Sequence, residues 1–128
     1  MTAAAPAHAA AAAALERLAG QGPVAITRQI LREYVAVVTR PQSWAAPMPL
    51  SQALGQAEVL SHRFRVFEDG QEVWAQLRIL ARTYNFGGKQ VHDANIVATM
   101  RAHGETRLLT FNAKDFRRFE PLIEIITP

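Results

Sequence analysis

Two aspartates in the segment QVHDANIVATMRAHGETRLLTFNAKDFRRF, residues 90–119, have the positions that metal chemistry needs. Asp93 falls in the first turn of a predicted helix, and the residues three, four and seven positions later are all apolar. A carboxylate aligned with apolar side chains is partly desolvated, so it needs a cation or a proton. Asp115 follows a short apolar run, near the point where a parallel strand would end. Ligand sites of open α/β sheets lie outside such strand ends.

The order of the motifs resembles a known family. HDANIVATM followed by LLTFNAKDF is similar to the C-terminal half of PIN-domain proteins, in particular the VapC-type toxins of toxin–antitoxin pairs. Upstream, ITRQILREY followed by Thr39, Arg40 and Pro41 resembles the family's second strand and the helix that carries its Glu. The resemblance runs from about Pro23 to the end of the sequence and therefore covers most of it.

The resemblance implies a metal-dependent endoribonuclease that gathers carboxylates at the carboxyl edge of its sheet to hold Mg²⁺ or Mn²⁺. Hard divalent cations prefer oxygen ligands, and clustered carboxylates repel one another unless a cation is bound. Carried over by motif, the catalytic and metal-binding acids are Glu33, Asp93 and Asp115.

Three further residues are candidates for contact with the substrate. Thr110 and Asn112 match family positions beside the metal site, where the resemblance implies binding of water or phosphate. His92 neighbours an acid but lies on the polar side of the predicted helix with Asn95 and Thr99. This position favours a structural or RNA-facing role for His92 over metal ligation.

Each acid also has a purely structural explanation. Glu33 fits an ordinary exposed helix acid. Asp93 fits the preference of carboxylates for the positive end of a helix, worth roughly 0.3–1 kcal/mol. That preference explains its place near the helix terminus but not its alignment with apolar residues. Asn112 and Asp115 together fit a helix cap, because Asn-x-x-Asp can serve a helix N-terminus.

Hydrophobic spacing predicts the elements that must position these residues. Helices are expected over residues 7–18, after a cap at Thr27, over residues 51–60, after a capping box at residues 69–72, and around Asp93. Short strands are expected at residues 24–26, 64–67, 107–111 and 122–126. Alternating helices and short strands predict a single domain over residues 1–128 with an α/β fold and a parallel sheet. The resemblance makes this a PIN-like three-layer α/β/α arrangement.

One part of the family pattern is missing from the sequence. PIN domains open with a hydrophobic strand that ends in an Asp, and no acid precedes Glu16 here. We therefore expect the first, central strand to be missing and the acid cluster to be incomplete, so that the chain as given is inactive or the natural start lies upstream. The intact later motifs favour an upstream start over a decayed gene.

Composition narrows the class of protein. The chain has no cysteine, which excludes disulfides and thiolate zinc sites. No apolar run approaches the roughly 20 residues that span a bilayer, so we expect no membrane partner. The absence of cysteine is compatible with a reducing cytoplasm, where we expect the protein to be. The net charge of +3, carried mostly by arginine, gives weak support for nucleic-acid binding.

Three functions compete at this point. The first is a VapC-type endoribonuclease toxin that cleaves RNA, is neutralised by a cognate antitoxin and forms a homodimer, as the resemblance implies. The second is a non-catalytic PIN-like module that binds RNA or an antitoxin. The third is an unrelated doubly wound domain, such as a phosphoacceptor receiver. A receiver needs an aspartate after a central strand and a lysine after a late one, and the sequence offers neither.

Overall fold

The computed structural model of the protein describes residues 2–3, 24–41, 46–110 and 112–127. This part of the chain forms five strands, four α-helices and two 3₁₀ helices. The strands are β1 (Thr2–Ala3), β2 (Ala25–Thr27), β3 (Arg65–Phe67), β4 (Arg107–Leu109) and β5 (Glu124–Ile126). The α-helices are α1 (Arg28–Val38), α2 (Leu50–Arg63), α3 (Gln71–Thr83) and α4 (Gln90–Ala102). Two 3₁₀ helices, Ala113–Asp115 and Arg117–Phe119, lie between β4 and β5.

All five strands are parallel and lie in the order β3-β2-β1-β4-β5. Helix α1 packs mainly against α2, and α3 packs mainly against α4. The predicted α/β fold with a parallel sheet is therefore confirmed. Because the strands are parallel, their carboxyl ends share one edge of the sheet, and α1, α3 and α4 begin on that side or next to it.

The centre of the sheet is occupied by β1, so the prediction that the central strand is missing is wrong. Thr2 pairs with Ala25 on one side and with Leu108 on the other. Backbone N–H and C=O groups make these pairs whatever side chain is attached, so an alanine-rich segment can fill the gap. The strand brings no carboxylate with it, because the first acid in the sequence is Glu16.

Helix α1 forms where its sequence predicts it. The hydroxyl of Thr27 accepts a hydrogen bond from the backbone N–H of Ile30 at 3.2 Å, which confirms the predicted cap. Ile30, Leu31 and Tyr34 are buried along one side of the helix. The apolar face fixes the rotation of α1 on the sheet, and this rotation decides where its polar residues point.

Two local predictions fail. The capping box at residues 69–72 is wrong, because Gly70 occupies the cap position of α3 and no side-chain cap bond forms. Asp69 instead accepts a hydrogen bond from the amide of Asn95 on α4 at 3.0 Å. Asn112 and Asp115 do not cap an α-helix either, because Asp115 ends a single 3₁₀ turn. The helix predicted over residues 7–18 lies outside the described residues, as does the end of the strand predicted to reach Phe111.

None of the helices in the described ranges is both long enough and apolar enough to cross a membrane.

Candidate active site at the carboxyl edge of the sheet

Glu33 is positioned by helix α1, which follows directly from the end of β2. It lies at the border between the buried side of the helix and solvent, and it is half-buried. Its Oε1 accepts a hydrogen bond from the side-chain amide of Gln29 at 3.1 Å. This partner and the partial burial argue against the alternative of an ordinary exposed helix acid.

Asp93 is positioned by the start of helix α4. The preceding turn contains Gly88 with φ 57°, a left-handed conformation that glycine adopts without strain, and the Val91 N–H donates to the Gly88 carbonyl at 3.1 Å. Asp93 follows within the first helical turn and is half-buried. Burial raises the pKa of its carboxyl group, which confirms the predicted partial desolvation.

Asp115 is positioned by the 3₁₀ turn that follows β4. Its backbone N–H donates to the Asn112 carbonyl at 3.0 Å. Phe116 and Phe119 are buried directly after it and anchor the segment. The ring centroids of Phe119 and Tyr84 are 5.1 Å apart. The side chain of Asn112 makes no cap bond to this turn, so the explanation of Asn112 and Asp115 as a mere cap is not supported.

The charges of Asp115 and Glu33 act on the third predicted acid, Asp93. After burial, the next largest causes of the raised pKa of Asp93 are the negative charges of Asp115 and Glu33. His92 and Arg118 oppose the shift because their positive charge favours the ionised carboxylate. Three elements that are far apart in sequence therefore place their carboxylates near enough for the charges of Asp115 and Glu33 to act on Asp93.

The donor set fits a hard divalent cation in its chemistry, because it consists of carboxylate oxygens that repel one another. The arrangement is open: among the described residues, no three His, Asp or Glu side chains are close enough to hold one ion together. No acid of β1 completes the set, because residues 2 to 15 contain none.

The three residues predicted to contact the substrate lie in different environments. His92 is exposed beside Asp93, and Asn112 is exposed beside the turn of Asp115. Thr110 is fully buried, and its hydroxyl accepts a hydrogen bond from the backbone N–H of Asn112 at 3.0 Å. Thr110 therefore holds the turn between β4 and Asp115 and does not face the solvent.

A network of side-chain amides behind the acids is absent from the sequence predictions. The amide of Gln29 donates to Glu33 and also, at 3.4 Å, to the backbone carbonyl of His92. Asn95 donates to Asp69 at 3.0 Å and makes a longer contact of 3.5 Å to Gln29. The network connects α1 and α4 next to their acids. Its sequence signal is the spacing of four between Gln29 and Glu33, which places both on one side of a helix.

Arg118 is a second residue that the sequence predictions overlooked. It lowers the pKa of Asp93 through its charge, and its guanidinium donates to the Asn85 carbonyl at 3.0 Å. Its signal is the spacing of three from Asp115, because successive turns of a 3₁₀ segment place residues three apart on one side.

Comparison with known proteins assigns the chain to a family. Residues 2–121 match the PIN domain. The chain belongs to the PIN-domain family. This assignment confirms the resemblance of the HDANIVATM and LLTFNAKDF motifs, and the match begins at β1, the strand expected to be missing.

Two relatives of this PIN domain place it with the VapC type. Ribonuclease VapC48 of Mycobacterium tuberculosis is 34% identical over 120 residues, which cover 91% of this chain and 82% of that protein. Ribonuclease VapC24 of the same organism is 29% identical over 119 residues, covering 89% and 79%. A solved structure with a similar fold is that of VapBC2 from Rickettsia felis bound to a DNA fragment from the VapBC2 promoter. It superposes with a TM-score of 0.63 over 100% of this chain and 99% of that one. At 18% identity this last similarity shows the fold alone.

Proposed function

We propose that this PIN domain is a VapC-type endoribonuclease that hydrolyses phosphodiester bonds of RNA with Mg²⁺ or Mn²⁺. The observation that carries the proposal is the pKa of Asp93, which burial and the carboxylates of Asp115 and Glu33 raise together. Carboxylates that destabilise one another in this way favour a bound cation, and perturbed acids of this kind are typical of active sites. The two relatives named ribonucleases support the same function.

Asp93 is the central ligand in this proposal, because the charges of both Glu33 and Asp115 act on it. When bound, a divalent cation orients a water molecule, lowers its pKa and offsets the charge that develops on a phosphodiester oxygen. Gln29 holds the Glu33 carboxylate in place through its 3.1 Å hydrogen bond. Arg118 supplies a fixed positive charge near Asp93.

The remaining predicted site residues divide between contact and support. We place the RNA backbone on the solvent side of the acids, where His92 and Asn112 are exposed. Their side chains can donate hydrogen bonds to phosphate oxygens there. Thr110 contributes indirectly, because its buried hydroxyl holds the backbone of Asn112.

The partners follow from the same proposal. We propose a cognate antitoxin that covers the acid site, a homodimer, and a place in the cytoplasm, where RNA and antitoxin are both present. The resemblance to VapC-type toxins of toxin–antitoxin pairs supports both the antitoxin and the dimer.

The experiment is cleavage of total cellular RNA by the purified protein with Mn²⁺, with new RNA ends mapped by sequencing so that no substrate is chosen in advance. We expect Asp93→Asn to reduce cleavage by at least about a hundredfold, the scale of losing a group that acts in the transition state. Glu58→Gln is the matched control, because Glu58 is an exposed acid on α2 that pairs with His62. Equal cleavage by Asp93→Asn would show that the activity comes from elsewhere.

A second candidate function is a PIN-like module that binds RNA or antitoxin without cleaving. The open arrangement of the described acids and the lack of an acid before Glu16 favour it. This function predicts RNA binding that survives Asp93→Asn and no new RNA ends at any Mn²⁺ concentration. The sequencing experiment therefore separates the two functions.

A further inference from the structure

An open groove of about 580 Å³ lies next to the acids and extends beyond the residues that the proposed chemistry uses. It runs between α1, α3 and α4. Glu33 forms part of one wall, and His92, the neighbour of Asp93, forms part of another. A polymer bound with its reacting bond at the acids would therefore have its neighbouring units within reach of this groove.

The side of the groove formed by α3 exposes a large aromatic surface. Trp74 is 63% exposed, although Val73 and Leu80 on the same helix are fully buried. Leu77 and Val91 line the groove beside the indole. An indole exposed in a groove is suited to stacking against another flat ring, and stacking is the main mode by which proteins hold the bases of single strands.

Another part of the groove lining is polar and hydrogen-bonded. Gln29, Asn95 and Asp69 form it, and the hydrogen bonds that join them leave the Asp69 carboxylate exposed with one oxygen accepting from Asn95. A carboxylate and amides can accept hydrogen bonds from the amino groups on the edge of a base. Arg32 also lines the groove and offers a guanidinium for a phosphate.

We propose that this groove binds one nucleobase of single-stranded RNA next to the cleaved phosphodiester, with the base stacked on Trp74. The proposal rests on the proposed ribonuclease function and adds a subsite to it. An apolar segment of a protein partner fits the groove less well. It would take the Glu33 and Asp69 carboxylates out of water without adding a hydrogen bond to them. A base instead presents an apolar face to the indole and amino groups that can donate to the polar part of the lining.

The test measures binding separately from cleavage. A fluorescein-labelled single-stranded RNA of mixed sequence is titrated with protein at one fixed salt concentration and followed by anisotropy. Asp93→Asn is the background, so that the probe stays intact. In this background we expect Trp74→Ala to weaken binding about tenfold, since the loss of base stacking on one aromatic side chain is of that order. Trp74→Phe should retain most of the affinity, because phenylalanine still offers a ring.

Ile79→Ala is the matched control. Ile79 is an exposed apolar residue on the same helix, 43% exposed, and it lies outside the groove lining. It projects about 140° away from Trp74 around the helix axis. Circular dichroism of each variant checks that α3 remains folded.

Equal affinities of Trp74→Ala and Ile79→Ala would overturn the proposal and leave the groove to a protein partner. No binding of RNA by the background protein would overturn it as well. If the sequencing experiment finds no cleavage but Trp74→Ala still weakens binding, the proposed ribonuclease function fails while the base subsite stands. In a cleaving protein, Trp74→Ala should raise KM about tenfold and leave kcat within a factor of about two, the behaviour of a lost binding contact.

Discussion

The two halves of helix α4 differ sharply in what surrounds them. In the second half, Ile96 and Met100 belong to an unbroken run of buried residues, and Met100 has no exposed surface at all. In the first turn, His92 is exposed and Asp93 is half-buried with a raised pKa. One half of the helix contributes stability, and the other half holds an acid at a cost in stability.

The difference shows how one helix can hold a carboxylate in an unfavourable environment. A carboxylate that loses water and meets two like charges destabilises the fold at neutral pH. The helix retains Asp93 in this position because its C-terminal half is anchored against α3 and the sheet. Active sites in general depend on such surplus stability elsewhere in the molecule.

The largest effect is expected from the buried half. Met100→Ala should lower the free energy of unfolding by about 2–5 kcal/mol, because a fully buried side chain is lost and a cavity is left. Urea denaturation followed by circular dichroism measures it. Arg101→Ala is the control on the adjacent position, where an exposed side chain donates a hydrogen bond to Gln76 on the surface. If Met100→Ala lowered the free energy of unfolding by less than about 1 kcal/mol, the second half of α4 would not be its stabilising half.

A smaller effect of opposite sign is expected from the first turn. The folded-state pKa of Asp93 lies above its value in the unfolded chain, so its contribution to stability is present below the unfolded pKa, about 3.9. The contribution is lost as the pH rises through the folded pKa. Asparagine cannot ionise, so Asp93→Asn should stabilise the metal-free protein at pH 7. The gain should stay below about 1 kcal/mol because solvent screens a half-buried group.

Thermal unfolding in EDTA at pH 7 and near pH 3.5 measures this effect. The stabilisation by Asp93→Asn should be present at pH 7 and should shrink in acid, where both proteins carry a neutral group at this position. A variant that is less stable than the parent protein at pH 7 would mean that the Asp93 carboxylate is stabilised by its surroundings, contrary to its raised pKa.

Local sequence patterns predicted the parts of the site that depend on neighbours along the chain. The cap at Thr27, the apolar face of α1 and the desolvation of Asp93 all follow from spacings of three and four residues, and all three are confirmed. Spacing within one helix says nothing about the distance to another element. The family motifs were therefore needed to predict which acids act together. The electrostatic coupling of Asp93 to Asp115 and Glu33 agrees with them.

The failures concern contacts between distant parts of the chain. The central strand was expected to be missing because the alanine-rich N-terminus contains no hydrophobic run that ends in an Asp. Backbone pairing with β2 and β4 requires no such run. The capping box failed because Asp69 finds a partner on α4, 26 residues away. The groove at Trp74 was overlooked for the same reason, since its walls come from three helices.

The most direct test of the central claim is a calorimetric titration of the metal-free protein with Mn²⁺. The claim of the proposed function is that Asp93, Glu33 and Asp115 share one divalent cation, although no three such side chains of the described residues lie close enough to hold it in the structure. It predicts saturable binding of one ion and an affinity at least about tenfold lower in Asp93→Asn, while Glu58→Gln binds as the parent protein does. Equal Mn²⁺ binding by the parent protein and Asp93→Asn, or no binding by either, would contradict the claim.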